Sequence, residues 1–257
     1  MSDIEPIDWR VQAYLRVTGV FPPPVPGKPS FIPGEIAYVN TVSRDSNGEL
    51  IGFITPAPFK LAMDIAINSA IKAKKLRKTI AFQNNPYGTG KNVANENLPH
   101  LYDFFEYCMI AVTFTLQSID TYCNSVIERK VTKTFPIKIK NKIKNYNALQ
   151  LQSDWISTDK KILEILPKLL SQKPINNENP GLWNEYLTIK EIRNNILHLK
   201  SQKAYPKNKT KEQSLFYEFL SLDVKKIAFI GINMLEYFEK NQGNGPWFKV
   251  AYQKLSE

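Results

Sequence analysis

Cysteine and histidine are scarce in this chain, with only Cys108, Cys123, His100 and His198 in 257 residues. Two cysteines cannot build a disulfide framework or a zinc site, and two histidines leave little room for a histidine-rich metal centre. On one helix the two cysteines would stand fifteen residues, about 22 Å, apart and could not bridge. No apolar run approaches the ~18 residues that a membrane-spanning helix requires. Residues 1–10 hold three acids and no signal-like apolar core. These absences lead us to expect a cytoplasmic protein with no metal, no cofactor and no membrane contact. The length suffices for one or two domains with a core of their own, and an apolar fraction of 43% is that of a globular chain.

Acid is also missing locally. Residues 72–78, 129–145 and 200–211 carry 17 of the 34 Lys and Arg and no Asp or Glu. The remainder holds 17 basic against 24 acidic residues, so a chain of net charge +10 is net −7 outside these three segments. Clustered charge of this kind suits a phosphate-binding surface, because local potential and counterion release both grow with clustering. Solvated lysine-rich loops are the competing explanation. Aromatic interleaving is thin (Phe135, Tyr146, Tyr205), so a base-stacking platform is not indicated.

Two parts differ in pattern, residues 1–98 and 99–257. The first opens with a polyproline-type stretch, Phe21 to Pro29. Two β-prone runs, Glu35–Val39 and Glu49–Ile54, flank Arg44-Asp45-Ser46-Asn47-Gly48 and predict a β-hairpin. A helix follows from about Phe59 to Ile80, its last turns being the first basic cluster. Asn84 to Gly90 is turn chemistry, and its Gly88-Thr89-Gly90-Lys91 lacks the spacing of a P-loop.

From Pro99 the apolar residues recur every three or four positions through Ile127, which predicts a core helix of about thirty residues. A second stripe on it is polar: Asp103, Glu106, Thr113, Gln117, Asp120, Asn124. The basic segment 129–145 reads as a loop. A short helix is expected from about Ser157 to Ser171, capped by Thr158 or Asp159, and a loop at 176–181. Further helices are expected from Leu182 to about Lys200 and from about Gln213 to Lys240. The fold class is therefore mainly α: an antiparallel helical bundle with a small N-terminal extension containing a β-hairpin and a helix.

The chemistry concentrates in Arg193-Asn194-Asn195-Ile196-Leu197-His198. On an ideal helix His198 lies within about 60° of Glu191, Asn194 and Asn195, and Arg193 flanks that face. A guanidinium grips phosphate oxygens in a bidentate fork, and an imidazole moves protons near neutral pH. RNA carries its own nucleophile, the 2′-hydroxyl, so the two side chains form a minimal kit for phosphodiester cleavage. By residue type alone this is weak evidence, since a surface histidine with Glu191 and asparagine neighbours on an exposed helix is commonplace.

The six-residue run resembles the R-x(4–6)-H signature of the HEPN superfamily, including the polar residue after the arginine. Its position late in an all-helical region agrees, as does Ser118-Ile119-Asp120-Thr121-Tyr122-Cys123-Asn124 on the earlier long helix, which is similar to the acidic residue and asparagine of that family. Pro246-Trp247 resembles the tails of some relatives. The resemblance covers about residues 99–257 and implies a helical bundle that pairs as a homodimer with two motifs facing each other. It also implies metal-independent endoribonuclease activity in a toxin–antitoxin or antiviral-defence setting, with an antitoxin or defence partner. Under it Arg193 binds the scissile phosphate, His198 is general base or acid, and Asn194 orients the pair. Asp120, with Glu106 as the alternative, is the acidic partner. Two residues past His198, where one subfamily carries a tyrosine, stands Lys200. Lys138, Lys140, Lys142, Lys200 and Lys203 would funnel RNA toward the motif. The other reading is a non-catalytic module that binds RNA, a nucleotide or a partner protein.

Overall fold

The computed structural model describes residues 8–11, 14–16, 36–38, 40–86, 88–139, 142–198, 215–240 and 247–256. The polyproline stretch and the third basic segment, 200–211, lie outside them. Two compact units result, Met1–Leu61 and Ala62–Glu257.

In the first unit β1 (Tyr14–Arg16) pairs antiparallel with β2 (Ile36–Tyr38), and β3 (Asn40–Arg44) with β4 (Leu50–Ile54). The hairpin over the Asn-Gly turn thus uses Asn40–Arg44, not Glu35–Val39, as its first strand. Turn chemistry sets that register. Asp45 Oδ1 accepts from the amides of Asn47 and Glu49, the Gly48 amide donates to the Asp45 carbonyl, and Gly48 takes φ +85°. With the turn closed on residues 45–48, five residues on either side fall into register, and residues 36–38 are left to pair with β1. A Val11–Pro56 bridge and Lys60 Nζ donating to the Val11 carbonyl at 3.0 Å fasten the two ends of the unit.

α1 (Pro58–Thr79) begins in the first unit and belongs to the second from Ala62 on. A small hairpin, β5 (Phe82–Asn84) with β6 (Lys91–Val93), leads into α2 (Leu98–Lys130), the 33-residue spine of the helical unit. Its stripe Phe104, Cys108, Ala111, Val112, Ile119, Tyr122, Cys123, Val126 and Ile127 is buried, as its period requires. Both cysteines are free. After α2 the basic segment is a hairpin, β7 (Phe135–Ile139) with β8 (Lys142–Tyr146), where the sequence had suggested a loop. Buried Ile137 and the Tyr146–Trp155 ring contact (5.2 Å) anchor one face of it, an alternation obscured by the lysines at every second position.

α3 (Ala148–Gln152) carries a capping box from Asn147 and Gln150. Next, α4 (Thr158–Lys160), a π-helical turn (Lys161–Ile165) and α5 (Leu166–Leu169) run on as one helix, capped by Ser157 rather than Thr158 or Asp159. Pro167 has no amide to give to the preceding turn and crowds its carbonyl; the widened turn accommodates it. The expected loop at 176–181 contains α6 (Ile175–Glu178), and α7 (Pro180–Leu197) starts at Pro180. The last long helix is broken into α8 (Leu215–Ser221) and α9 (Val224–Glu239), because Asp223 leaves helical geometry and accepts from the Lys226 amide as an N-cap. A further amphipathic helix, α10 (Trp247–Ser256), packs on α9.

Side-chain pairings set the helix directions. Thr115 and Tyr122 of α2 meet Gly231 and Glu239 of α9, so those two run parallel. Glu178, just before α7, reaches Tyr237 and Lys240, while Glu185 further along reaches Lys226. α7 is therefore antiparallel to α9 and α2. On α1, Met63 lies against Gly231 and Lys72 sits over the Tyr107 ring, which makes α1 antiparallel as well. At Gly231 an added Cβ would stand 2.6 Å from Thr115 Cγ2 and 2.9 Å from Met63 Cε, so glycine permits the close approach of α9 to its neighbours. Among the described residues no helix is long and apolar enough to cross a membrane.

Candidate functional site

α7 is built to present its last turn. Asn179 caps it by accepting from the Leu182 amide at 3.1 Å, and Pro180 occupies its first position. Leu182, Tyr186, Ile189 and Ile192 are buried against the bundle. Arg193 and Asn194 are half-buried, and the guanidinium Nη1 donates to Asn194 Oδ1 at 3.2 Å. His198 is exposed and stands one residue beyond the helix, with φ −121° and ψ 46°. Its amide still donates to the Asn194 carbonyl at 3.0 Å. His198 therefore closes the helix as its C-cap instead of lying inside its last turn, as a helix running to Lys200 would have placed it.

Asp120 lies elsewhere, in a polar knot beneath the N-terminal half of α7. Its Oδ1 accepts from Thr158 Oγ1 at 2.7 Å and from Lys161 Nζ at 3.1 Å, and its Oδ2 from Asn124 Nδ2 at 3.3 Å. Lys161, only 3% exposed, also donates to Asn124 Oδ1 at 2.8 Å. Next to it, Asp159 accepts from the Tyr186 hydroxyl at 2.9 Å and pairs with Lys190. Burial, with the Asp159 carboxylate second, raises the Tyr186 phenol far above its usual range. Twelve residues separate Tyr186 from His198, about 18 Å along the axis. Since α7 and α2 are antiparallel, the level of His198 on α2 falls among its earlier turns, nearer exposed Glu106 than Asp120.

Of the five lysines expected to bind RNA, Lys140, Lys200 and Lys203 lie outside the described residues. Lys138 and Lys142 are exposed but point to opposite faces of the β7–β8 hairpin, since Lys138 pairs with Ile143 and Lys142 with Ile139. Lys138 lends its carbonyl to Lys160 Nζ at 2.9 Å, which ties the hairpin to the start of α4.

Sequence reasoning missed the knot itself. Lys161 reads as one more surface lysine; the signal available was Pro167, whose place in a helical run announces an irregular turn. Among the described residues no three His, Cys, Asp or Glu side chains gather as a metal-binding group. No family model, curated protein or solved structure matches this chain.

Proposed function

We propose that the chain is a metal-independent endoribonuclease of the HEPN type, acting as a toxin or antiviral-defence effector. The observation that carries this reading is the last turn of α7, where half-buried Arg193 donates to Asn194 and His198 stands exposed at the C-cap. Arg193 grips the scissile phosphate. His198 takes the proton of the 2′-hydroxyl as it attacks phosphorus, and the 5′-oxygen leaves with a proton from solvent, giving a 2′,3′-cyclic phosphate and a 5′-hydroxyl. Asn194 keeps the guanidinium planar to its target. A homodimer through the bundle would supply a second motif, and an antitoxin or defence partner would hold the activity in check.

The second reading is a non-catalytic module that binds RNA, a nucleotide or a protein. One observation favours it: the carboxylate expected to assist, Asp120, is committed to Lys161 and Thr158 instead. The deciding experiment incubates wild type, Arg193→Ala and His198→Ala with total RNA or tRNA in EDTA and maps fragment ends. Cyclic-phosphate ends made by wild type and lost in both variants support the enzyme. Intact RNA with all three proteins, at concentrations where dimers form, sinks it.

A further inference from the structure

α1 ends in Lys72, Lys74, Lys75, Arg77 and Lys78, and among the described residues none of them forms an ion pair. Helix directions bring this cluster to a particular place. α1 and α7 both run antiparallel to α2, so their C-terminal turns share the end of the bundle where α2 and α9 begin. The lysines and the Arg193–His198 turn, more than a hundred residues apart in sequence, thus emerge at one end.

Three further features mark the cluster as a binding surface. Lys72 Nζ lies 5.1 Å from the centroid of the Tyr107 ring, and Arg77 Cζ 4.9 Å from that of Phe82. Both rings are half-exposed. Lys225, at the start of α9, is only 9% exposed and gives a hydrogen bond to the Leu255 carbonyl at 2.7 Å, so it adds a fixed charge behind the exposed ones. Burial, and then repulsion from Lys74, Lys78 and Lys75 against the opposing charge of Asp223, lowers its pKa below the usual lysine value.

We infer that the basic end of α1, with Lys225 behind it, is the surface that binds the phosphate backbone of single-stranded RNA and delivers it to the end of α7. The inference rests on the ribonuclease reading for the destination of the strand. Cations beside half-exposed rings suit a backbone with unpaired bases, since each base can stack where a phosphate is held. An anionic membrane would ask for exposed apolar side chains among the lysines; Ala73 is buried and Leu76 only half-exposed.

The test uses the full chain with His198→Ala, so that binding is read without turnover. A fluorescein-labelled single-stranded oligoribonucleotide is titrated by anisotropy over a range of salt. Adding Lys74→Ala, Lys75→Ala and Lys78→Ala should weaken binding at least tenfold with unchanged circular dichroism. The slope of log K against log[salt] should fall by about 2, at about 0.7 per lost phosphate contact. Lys168→Ala with Lys173→Ala, exposed near the opposite end of α9, should change neither quantity. Undiminished affinity in the triple variant overturns the inference, as does wild-type binding to phosphatidylserine vesicles but not to RNA. If wild type cleaves RNA and the triple variant keeps its affinity, only the surface falls. If the triple variant loses affinity but wild type never cleaves, the surface stands and the ribonuclease reading falls.

Discussion

Replacing Asp120 by alanine separates a catalytic carboxylate from a structural one. Lys161 is 3% exposed, so without Asp120 its ammonium remains buried with Asn124 Oδ1 at 2.8 Å and the Gln152 carbonyl at 3.5 Å. Removing one partner of a buried pair costs about 3–5 kcal/mol. Asp120 is itself 31% exposed and Asn124 remains, which places the loss at the lower end, about 3 kcal/mol. Asp120→Asn keeps an acceptor for Thr158 and should cost less, about 1–2 kcal/mol. Lys161→Met fills the same space without a charge and should be close to neutral. Urea unfolding followed by circular dichroism reads all of these. At an m-value near 3 kcal/mol/M the Asp120→Ala midpoint falls by about 1 M. In the double variant Asp120→Ala/Lys161→Met most of that loss should be recovered, because no buried charge is left unpaired. The reasoning is refuted if Asp120→Ala unfolds like wild type, or if Lys161→Met fails to rescue it. Loss of RNA cleavage at unchanged stability would return Asp120 to the chemistry.

Gly231→Ala places a methyl 2.6 Å from Thr115 Cγ2, and should destabilise by about 1–3 kcal/mol despite alanine's better helix propensity. Thr115→Ser, which deletes that methyl, should restore much of it; a Gly231→Ala variant more stable than wild type would contradict the close crossing. Alkaline pH should unfold the helical unit steeply. Burial pushes the Cys108 thiol up to about 12 and raises Cys123, Tyr122 and Tyr186 as well. Their folded pKa values lie above the unfolded ones, so their stabilisation is intact below pH ~9 and is lost as pH rises, at about 1.4 kcal/mol per group per pH unit. Lys225, lowered, opposes this with a single group. Helicity and tyrosinate absorbance should change together; thiols that react with a disulfide reagent below pH 9 in a fully helical protein would refute it.

Much of the helical architecture was legible because burial on one face imposes a period of three to four residues. α2 shows it over 33 residues, and α1 and α7 fall within two or three residues of their expected bounds. Breaks were harder to see. The Asp223 cap that divides α8 from α9 competes with an uninterrupted apolar stripe, and local cap chemistry decides it. The β7–β8 hairpin was hidden because lysine recurs at every second position from 138 to 144, leaving Ile137 as its one buried apolar residue.

Composition and period by themselves determined the mainly helical fold class, the helix that carries Arg193 and ends at His198, and the three acid-free basic segments. These are local properties, written in neighbouring residues. Tertiary structure alone decided which of those parts meet. It withdrew Asp120 into a knot with Lys161, because a buried ammonium demands a carboxylate more strongly than any exposed site does. It split Lys138 from Lys142 across a pleated hairpin. By running α1 and α7 in the same direction along α2, it also brought the lysines of residues 72–78 to the end where His198 leaves its helix, a proximity that depends on helix direction and so cannot be read from spacing along the chain.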